Sequence, residues 1–385
     1  RSLSSAASDV YKRQIFYSIN GENRRMQKEN IEAVLKDYQC PYMGTDLVSA
    51  NTVKDITVDG NNVSIKIVLG WPAEGIMQAF HKNLNAKVMD AYPDAKLTLD
   101  LSYEIIPHTV QQSIERIKGI KNIIAIASGK GGVGKSTTSV NLALALKEEG
   151  ATAAILDADI YGPSIPRMLG LAGKPDSEDG KTLDPKMGHG LQAMSIGLLV
   201  EEETPMIWRG PMVTQALEQL LTDTNWEDVD FLIIDLPPGT GDVQLTLCQK
   251  IPLSGAVIVT TPQDISLIDA RKGLKMFEKV EVPVLGVIEN MSTFICPKCG
   301  TVESIFGEGG GEQLAEENDV KLLGQLPLLK SIRVEMDKGT PTVSENPESP
   351  VSLMYRDIAR KMSATLSMRK KDYSSAFPKI VIQND

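Results

Sequence analysis

Cysteine and histidine are scarce in this chain, at four and three among 385 residues. So few cysteines exclude a disulfide-dense secreted scaffold. The histidines stand far apart at 81, 108 and 189, which excludes an H-E-x-x-H or His-cluster metalloenzyme. Apolar runs are short, and none approaches the roughly 18–20 residues of a membrane span. No charged-then-apolar secretory leader opens the sequence. Positive charge is also in deficit: 40 Lys plus Arg face 50 Asp plus Glu, a net −10. That argues against a global electrostatic grip on DNA or RNA and leaves a local basic patch open. The expectation is a cytoplasmic protein with no membrane and no nucleic-acid partner. What is present is an ordinary globular mix, 42% hydrophobic and 23% charged. A chain of this length suggests two or three domains.

Residues 1–25 begin with Arg1 and are rich in Ser and Ala at the start. They lack useful periodicity and read as a disordered or non-native leader. Residues 26–106 read as a small α+β domain of order α-β-β-α-β. Ile31, Val34, Leu35 and Tyr38 recur at helical spacing over 26–38. Strands are expected at 51–58, 63–69 and 97–105, the first two joined by Asp59-Gly60-Asn61-Asn62. Pro72 is expected in the first turn of a second helix running through Met77, Phe80, Leu84 and Val88. A linker follows at 107–121, with a short helix over Val110–Ile117.

From 122 to 371 the texture changes. Short continuous apolar runs at Ile123–Ala127, Ala153–Leu156, Phe231–Ile234, Ala256–Val259 and Val284–Ile288 alternate with helical stretches. Such runs suit strands buried on both faces, so the expected fold is α/β, a doubly wound, mostly parallel sheet. A last helix is expected near Val351–Met368, then a tail at 372–385. Gly307–Gly311 and Pro341–Pro350 read as loops.

Gly129-Lys130-Gly131-Gly132-Val133-Gly134-Lys135-Ser136-Thr137 matches G-x-x-x-x-G-K-[ST]. It follows an expected strand and opens an expected helix, Ser136–Glu149. Glycines there let backbone N–H groups turn inward around phosphate oxygens, and the helix N-terminus adds positive charge. Lys135 would reach the β and γ phosphates of ATP, and the Ser136 hydroxyl would bind Mg²⁺. Acidic residues fall at strand carboxyl ends, where an open α/β sheet places its ligand crevice. Asp235 is placed to hold Mg²⁺ directly or through its water. Asp159 is the candidate to orient the attacking water, with Asp157 nearer the metal. Helix capping is the other reading of Asp157 and Asp159.

Cys296-Pro297-Lys298-Cys299 sets two thiolates three positions apart, able to chelate one soft metal centre. Zinc ribbons and iron–sulfur clusters need about four such ligands. A second C-x-x-C is lacking, and Cys248 sits in an apolar segment that suits the core. The arithmetic favours two chains each giving two sulfurs to one centre on a dimer axis. A redox pair and a structural zinc knuckle stay open.

The loop with its extra Lys130 resembles the deviant Walker A loop of the MinD, ParA and nitrogenase-iron-protein group. That resemblance implies an ATP-dependent homodimer in which Lys130 of one subunit reaches phosphates held by the other, and Asn290 on the adenine edge. The ordered set 129–137, 157–164, Trp208-Arg-Gly-Pro-Met212, 235–242 and 289–300 is similar to the Mrp/ApbC family of iron–sulfur cluster carrier ATPases. The family implies a labile cluster, 4Fe–4S, bridging two subunits at Cys296 and Cys299. It also implies delivery to apo iron–sulfur proteins, exchange with cluster scaffold proteins, and a requirement for ATP hydrolysis. Residues 26–106 resemble the small domain often fused ahead of this ATPase. The cysteine that other versions carry before the second helix is replaced here by Gly70-Trp71-Pro72-Ala73, which favours target docking over metal binding. Pro327-Leu328-Leu329 departs from the family's Pro-Leu-Asp. Two alternatives are a MinD/ParA-like positioning ATPase with a structural zinc C-x-x-C, and an ATP-regulated thiol switch.

Overall fold

A computed structural model of the chain describes residues 26–111, 114–199 and 210–372. The expected leader at 1–25, Trp208, Arg209 and the tail from 373 onward lie outside the described residues. The chain divides into two compact units. Of the described residues, the first holds 26–40, 44–68 and 78–101; the second holds 41–43, 69–77 and those from 102 to 372.

In the first unit, helix α1 (Lys28–Lys36) is followed by a short antiparallel pair, β1 (Gln39–Cys40) and β2 (Thr45–Asp46). Then come β3 (Val53–Asp59), β4 (Asn62–Leu69), α2 (Met77–Ala91) and β5 (Lys96–Tyr103). The strands form a sheet of order β3-β4-β5. Asp59 pairs with Asn62, so Gly60 and Asn61 make the turn, and Gly60 takes φ +59° as such tight turns require. Val63, Ile65 and Ile67 of β4 point inward with Ile31 and Leu35 of α1 and Phe80, Leu84 and Val88 of α2. Pro72 stands outside the helix: a single 3₁₀ turn at Glu74–Ile76 separates it from α2, which starts only at Met77.

The second unit alternates strand and helix. Its elements begin β6 (Ile120–Ala127), α3 (Lys135–Glu148), β7 (Ala153–Asp157), α4 (Ile165–Met168), β8 (Lys186–Gly188), β9 (Leu191–Ser195) and α5 (Gly210–Thr222). They continue with β10 (Val229–Asp235), α6 (Asp242–Lys250), β11 (Gly255–Thr260), α7 (Asp264–Lys279), β12 (Val284–Ile295) and β13 (Val302–Glu303). The last are α8 (Gly310–Glu317), β14 (Leu322–Leu328), α9 (Lys330–Asp337), α10 (Thr342–Glu345) and α11 (Pro350–Ser367). One sheet runs β13-β12-β11-β6-β10-β7-β9-β8, with β14 paired to β12. Neighbours are parallel except β8 on β9 and β13 on β12.

Successive residues of the apolar runs feed opposite faces. Ile124, Ile126, Ile155 and Ile233 pack beneath α3 and α11. Ile123, Ala125, Leu156, Leu232 and Ile234 pack beneath α5, α6 and α7. This two-sided burial is why the strands read as continuous rather than alternating. Helix α3 is buried all round from Thr138 to Leu146, matching its run of Val, Leu and Ala.

Several expectations are corrected. In the linker, the described residues of Val110–Ile117 are not helical. Polar groups in this segment are spent on neighbours instead. Asn122 Oδ1 accepts from the His108 backbone N–H at 3.1 Å and lies 3.0 Å from its Nδ1, Thr109 bonds to Lys370, and Arg116 pairs with Asp372. Gly307–Gly311 is not all loop, because α8 starts at Gly310; Pro341–Pro350 includes the short α10. Strands β8, β9 and β14 had no strong sequence signal, since each is short or interrupted by Gly or Pro. No described helix is long and apolar enough to cross a membrane.

Candidate nucleotide and thiolate site

The phosphate loop leaves the C-terminal end of β6 between β10 and β11, at the centre of the sheet. Gly132 and Gly134 both take φ +83°, a left-handed conformation that a side chain would strain. A Cβ added at Gly131 or Gly132 would meet nothing within 4 Å, so these residues border open space. A Cβ at Gly134 would instead run into the amide of Asn290.

Lys135 opens α3 and is only 6% exposed. Its Nζ lies 2.8 Å from Oδ1 of the fully buried Asp235, which ends β10. Ser136 Oγ donates to Asp235 Oδ2 at 2.6 Å. Ser139 Oγ, one turn further along α3, reaches Asp235 Oδ1, also at 2.6 Å. Asp235 is thus placed beside the loop by strand register and held by three side chains of one helix.

Asp157 is the parallel-strand partner of Asp235 in register. Both its oxygens are occupied. Oδ1 accepts the Asp159 N–H at 3.1 Å, and Oδ2 accepts the N–H groups of Ser164 and Ile165 at 3.0 and 3.1 Å and the Ser195 hydroxyl at 3.1 Å. Complete burial, reinforced by the charge of Asp235, pushes its carboxyl up to about 7. In this geometry Asp157 anchors the loop that presents Asp159 and starts α4. Asp159 is partly buried, which raises its pKa; the Lys135 ammonium opposes that rise and Asp235 adds to it. Asp159 therefore lies within electrostatic reach of both groups.

Lys130 is half-buried, with its Nζ 3.5 Å from Gln263 Oε1 at the start of α7. Thr137 is the third residue of α3. Asn290 lies within β12, and its Nδ2 donates to the Val133 backbone oxygen at 2.8 Å. Met291 follows with φ +57°, uncommon for a side chain of that size, at the point where the β12–β14 pairing shifts register.

The same strand runs on to Ile295 and turns through Cys296–Gly300 into β13. Phe294 pairs with Glu303 and Ile295 with Val302, so Cys296–Thr301 is a hairpin tip. The Cys296 N–H bonds to Thr301 O and the Gly300 N–H to Cys296 O, each at 2.9 Å, and Gly300 supplies φ +74°. Cys299 is exposed and Cys296 half-buried. Hydrogen bonds from the Thr301 side chain and backbone, and from Cys296, hold the Cys299 thiol down to about 7. Among the described residues no group of three or more His, Cys, Asp or Glu is arranged to hold a metal ion. The hairpin offers two thiols, and Cys248 is buried in α6 with its thiol pushed up to about 12.

A family model described as NUBPL iron-transfer P-loop NTPase matches residues 119–363. The chain belongs to this family. A second model, described as iron-sulfur cluster assembly protein, matches 28–97. Curated relatives of the chain include an iron-sulfur cluster carrier protein of Haemophilus influenzae, 47% identical over 88% of this chain and 92% of that one. The Escherichia coli iron-sulfur cluster carrier protein is 48% identical over 87% and 91%. The mouse iron-sulfur cluster transfer protein NUBPL is 51% identical over 64% and 78%. A solved nucleotide-binding protein from Archaeoglobus fulgidus, in complex with ADP, has a TM-score of 0.54 and 36% identity, covering 62% of this chain and 93% of its own.

Sequence reasoning on this NTPase missed Ser139, Ser195 and Thr301. Ser139 had a usable signal, standing three and four residues after Ser136 and Lys135 on one helix face. Ser195 had none, because strand pairing brings it to Asp157 from a separate segment. Thr301 stands two residues after Cys299 in the same hairpin tip, a place that the C-x-x-C spacing does not single out.

Proposed function

We propose that this chain binds and hydrolyses ATP and carries an iron–sulfur cluster, 4Fe–4S, held between the Cys296 and Cys299 pairs of two subunits for transfer to apo-proteins. The observation that carries the reading is the path of β12, which touches the phosphate loop at Asn290 and ends at Ile295, next to Cys296. The curated relatives are named as carriers and a transfer protein, which supports this reading over a MinD/ParA-like positioning role.

The residues fit a nucleotide. Gly129–Thr137 would cradle its phosphates with backbone N–H groups, and Lys135 would exchange its partner Asp235 for phosphate oxygens. Ser136 and Asp235, already 2.6 Å apart, would hold Mg²⁺, which when bound neutralises phosphate charge. Asp159 would orient the attacking water. Lys130 of the facing subunit would steady the charge that develops on the phosphates. Asn290 would border the base. The cluster is cargo, and two thiols per chain make one copy insufficient.

The test is anaerobic reconstitution with iron and sulfide, with metal, sulfide and mass measured beside a Cys296→Ala, Cys299→Ala variant. The reading expects about four iron and four sulfide per dimer, lost in the variant, and ATP-dependent transfer to an apo-enzyme. One tightly held zinc and no cluster would overturn it.

A further inference from the structure

The phosphate-loop helix carries a group that sequence reasoning did not use. Ser139 lies on α3 and is fully buried. Its Oγ is 2.6 Å from Asp235 Oδ1 and 3.0 Å from the backbone oxygen of Lys135 in its own helix. A hydroxyl has one proton to give. The shorter contact runs to a carboxylate, and hydrogen bonds to a charged acceptor are the stronger kind.

Asp235 Oδ1 has two partners, Lys135 Nζ and Ser139 Oγ, while Oδ2 has Ser136. Lys135 and Ser136 are both groups that a bound nucleotide and its metal compete for. Ser139 faces no such competitor. Its alternative acceptor is a backbone oxygen that its own helix supplies.

We infer that Ser139 is a positioning residue for Asp235, fixing Oδ1 so that Oδ2 is aimed at the Ser136 side, where Mg²⁺ is to be held. Groups that orient a metal-ligating carboxylate from behind change metal affinity by about 10–100-fold when removed. The role acts through Asp235, so Ser139 touches neither nucleotide nor metal. The inference rests on the Mg²⁺–ATP reading above.

The experiment measures ADP affinity by calorimetry on the full chain, once in EDTA and once with Mg²⁺. The ratio of the two reports metal binding without any turnover. Wild type should bind ADP more tightly with Mg²⁺. In Ser139→Ala that enhancement should fall about 10-fold, with the EDTA affinity kept. Ser139→Thr, which keeps the hydroxyl, should restore it.

Thr138→Ala is the matched control. It removes a neighbouring hydroxyl that bonds to Gly134 O at 2.9 Å and not to Asp235. It should leave the Mg²⁺ enhancement in place. A melting curve without nucleotide checks that each variant is folded. If Ser139→Ala keeps the full enhancement, or loses EDTA and Mg²⁺ affinity together, the inference is overturned. If wild type shows no Mg²⁺ enhancement, the Mg²⁺ reading itself fails, and the inference with it.

Discussion

Asn290 Nδ2 donates to the backbone oxygen of Val133 at 2.8 Å, tying the strand that leads into Cys296 to the phosphate loop. Asn290 is buried, so this bond is shielded from competing water. It gives any rearrangement of the loop a direct purchase on β12. Between this bond and the thiols lies the shift in β12–β14 pairing and the left-handed Met291.

Asn290→Ala should uncouple the two ends. The observable is the alkylation rate of Cys299 with and without ATP. Wild type should show a nucleotide-dependent change, and the variant should lose most of it. ADP affinity should fall by about 10-fold, the cost of losing one polar contact beside the base. An undiminished ATP response would show that the two sites communicate elsewhere.

Lys130 and Lys135 can be separated by mixing. Lys135→Ala should abolish hydrolysis through loss of phosphate binding, and Lys130→Ala should lower it about 10²-fold. If Lys130 serves the facing subunit, a mixture of the two variants forms mixed dimers with one intact composite site. Phosphate release from the mixture should then exceed that of either variant alone. No recovery on mixing would place Lys130 in its own subunit's site.

Cys299 should titrate early. Its thiol is held at about 7 against an ordinary value of 9.0, and the thiolate is the reactive form. A lowered pKa means more thiolate at a given pH, so alkylation of the metal-free protein should rise through about pH 7. Thr301→Val removes a hydroxyl 3.1 Å from the sulfur and should move the midpoint upward. A midpoint near 9 in wild type would contradict the geometry.

Glu149 tests the scaffold behind α3. Its buried Oε1 lies 2.7 Å from Arg356 Nε and 2.7 Å from Arg360 Nη2, both on α11. Glu149→Ala leaves two guanidinium groups buried without that carboxylate, which costs about 3–5 kcal/mol. Urea unfolding should show that loss, and a change below about 1 kcal/mol would mean that water replaces the carboxylate.

Much of this was legible in local pattern. The alternation at Val63, Ile65 and Ile67 marked a half-buried strand, and the unbroken runs at Ile123–Ala127 and Phe231–Ile234 marked strands covered on both faces. Gly134-Lys135-Ser136 marked a phosphate loop, because glycine, charge and hydroxyl are needed there in that order. Elements failed where pattern is weak. Three-residue β8 is too short to show a period, and in the linker's expected helix Gln111 and Arg116 are instead bonded to Cys248, Leu253 and Asp372.

The sequence by itself determined which chemistry the chain carries: one phosphate loop, one thiol pair, and strands that must be buried on both sides. It did so because those properties depend on residues a few positions apart. Only the tertiary structure decided how the groups are used. Asp157 is given to the loop at 159–165, Asp235 to Lys135, Ser136 and Ser139, and Asn290 to Val133. The Asp157 contacts to that loop are local, but those of Asp235 and Asn290 join segments far apart in the chain, and strand order and register create them.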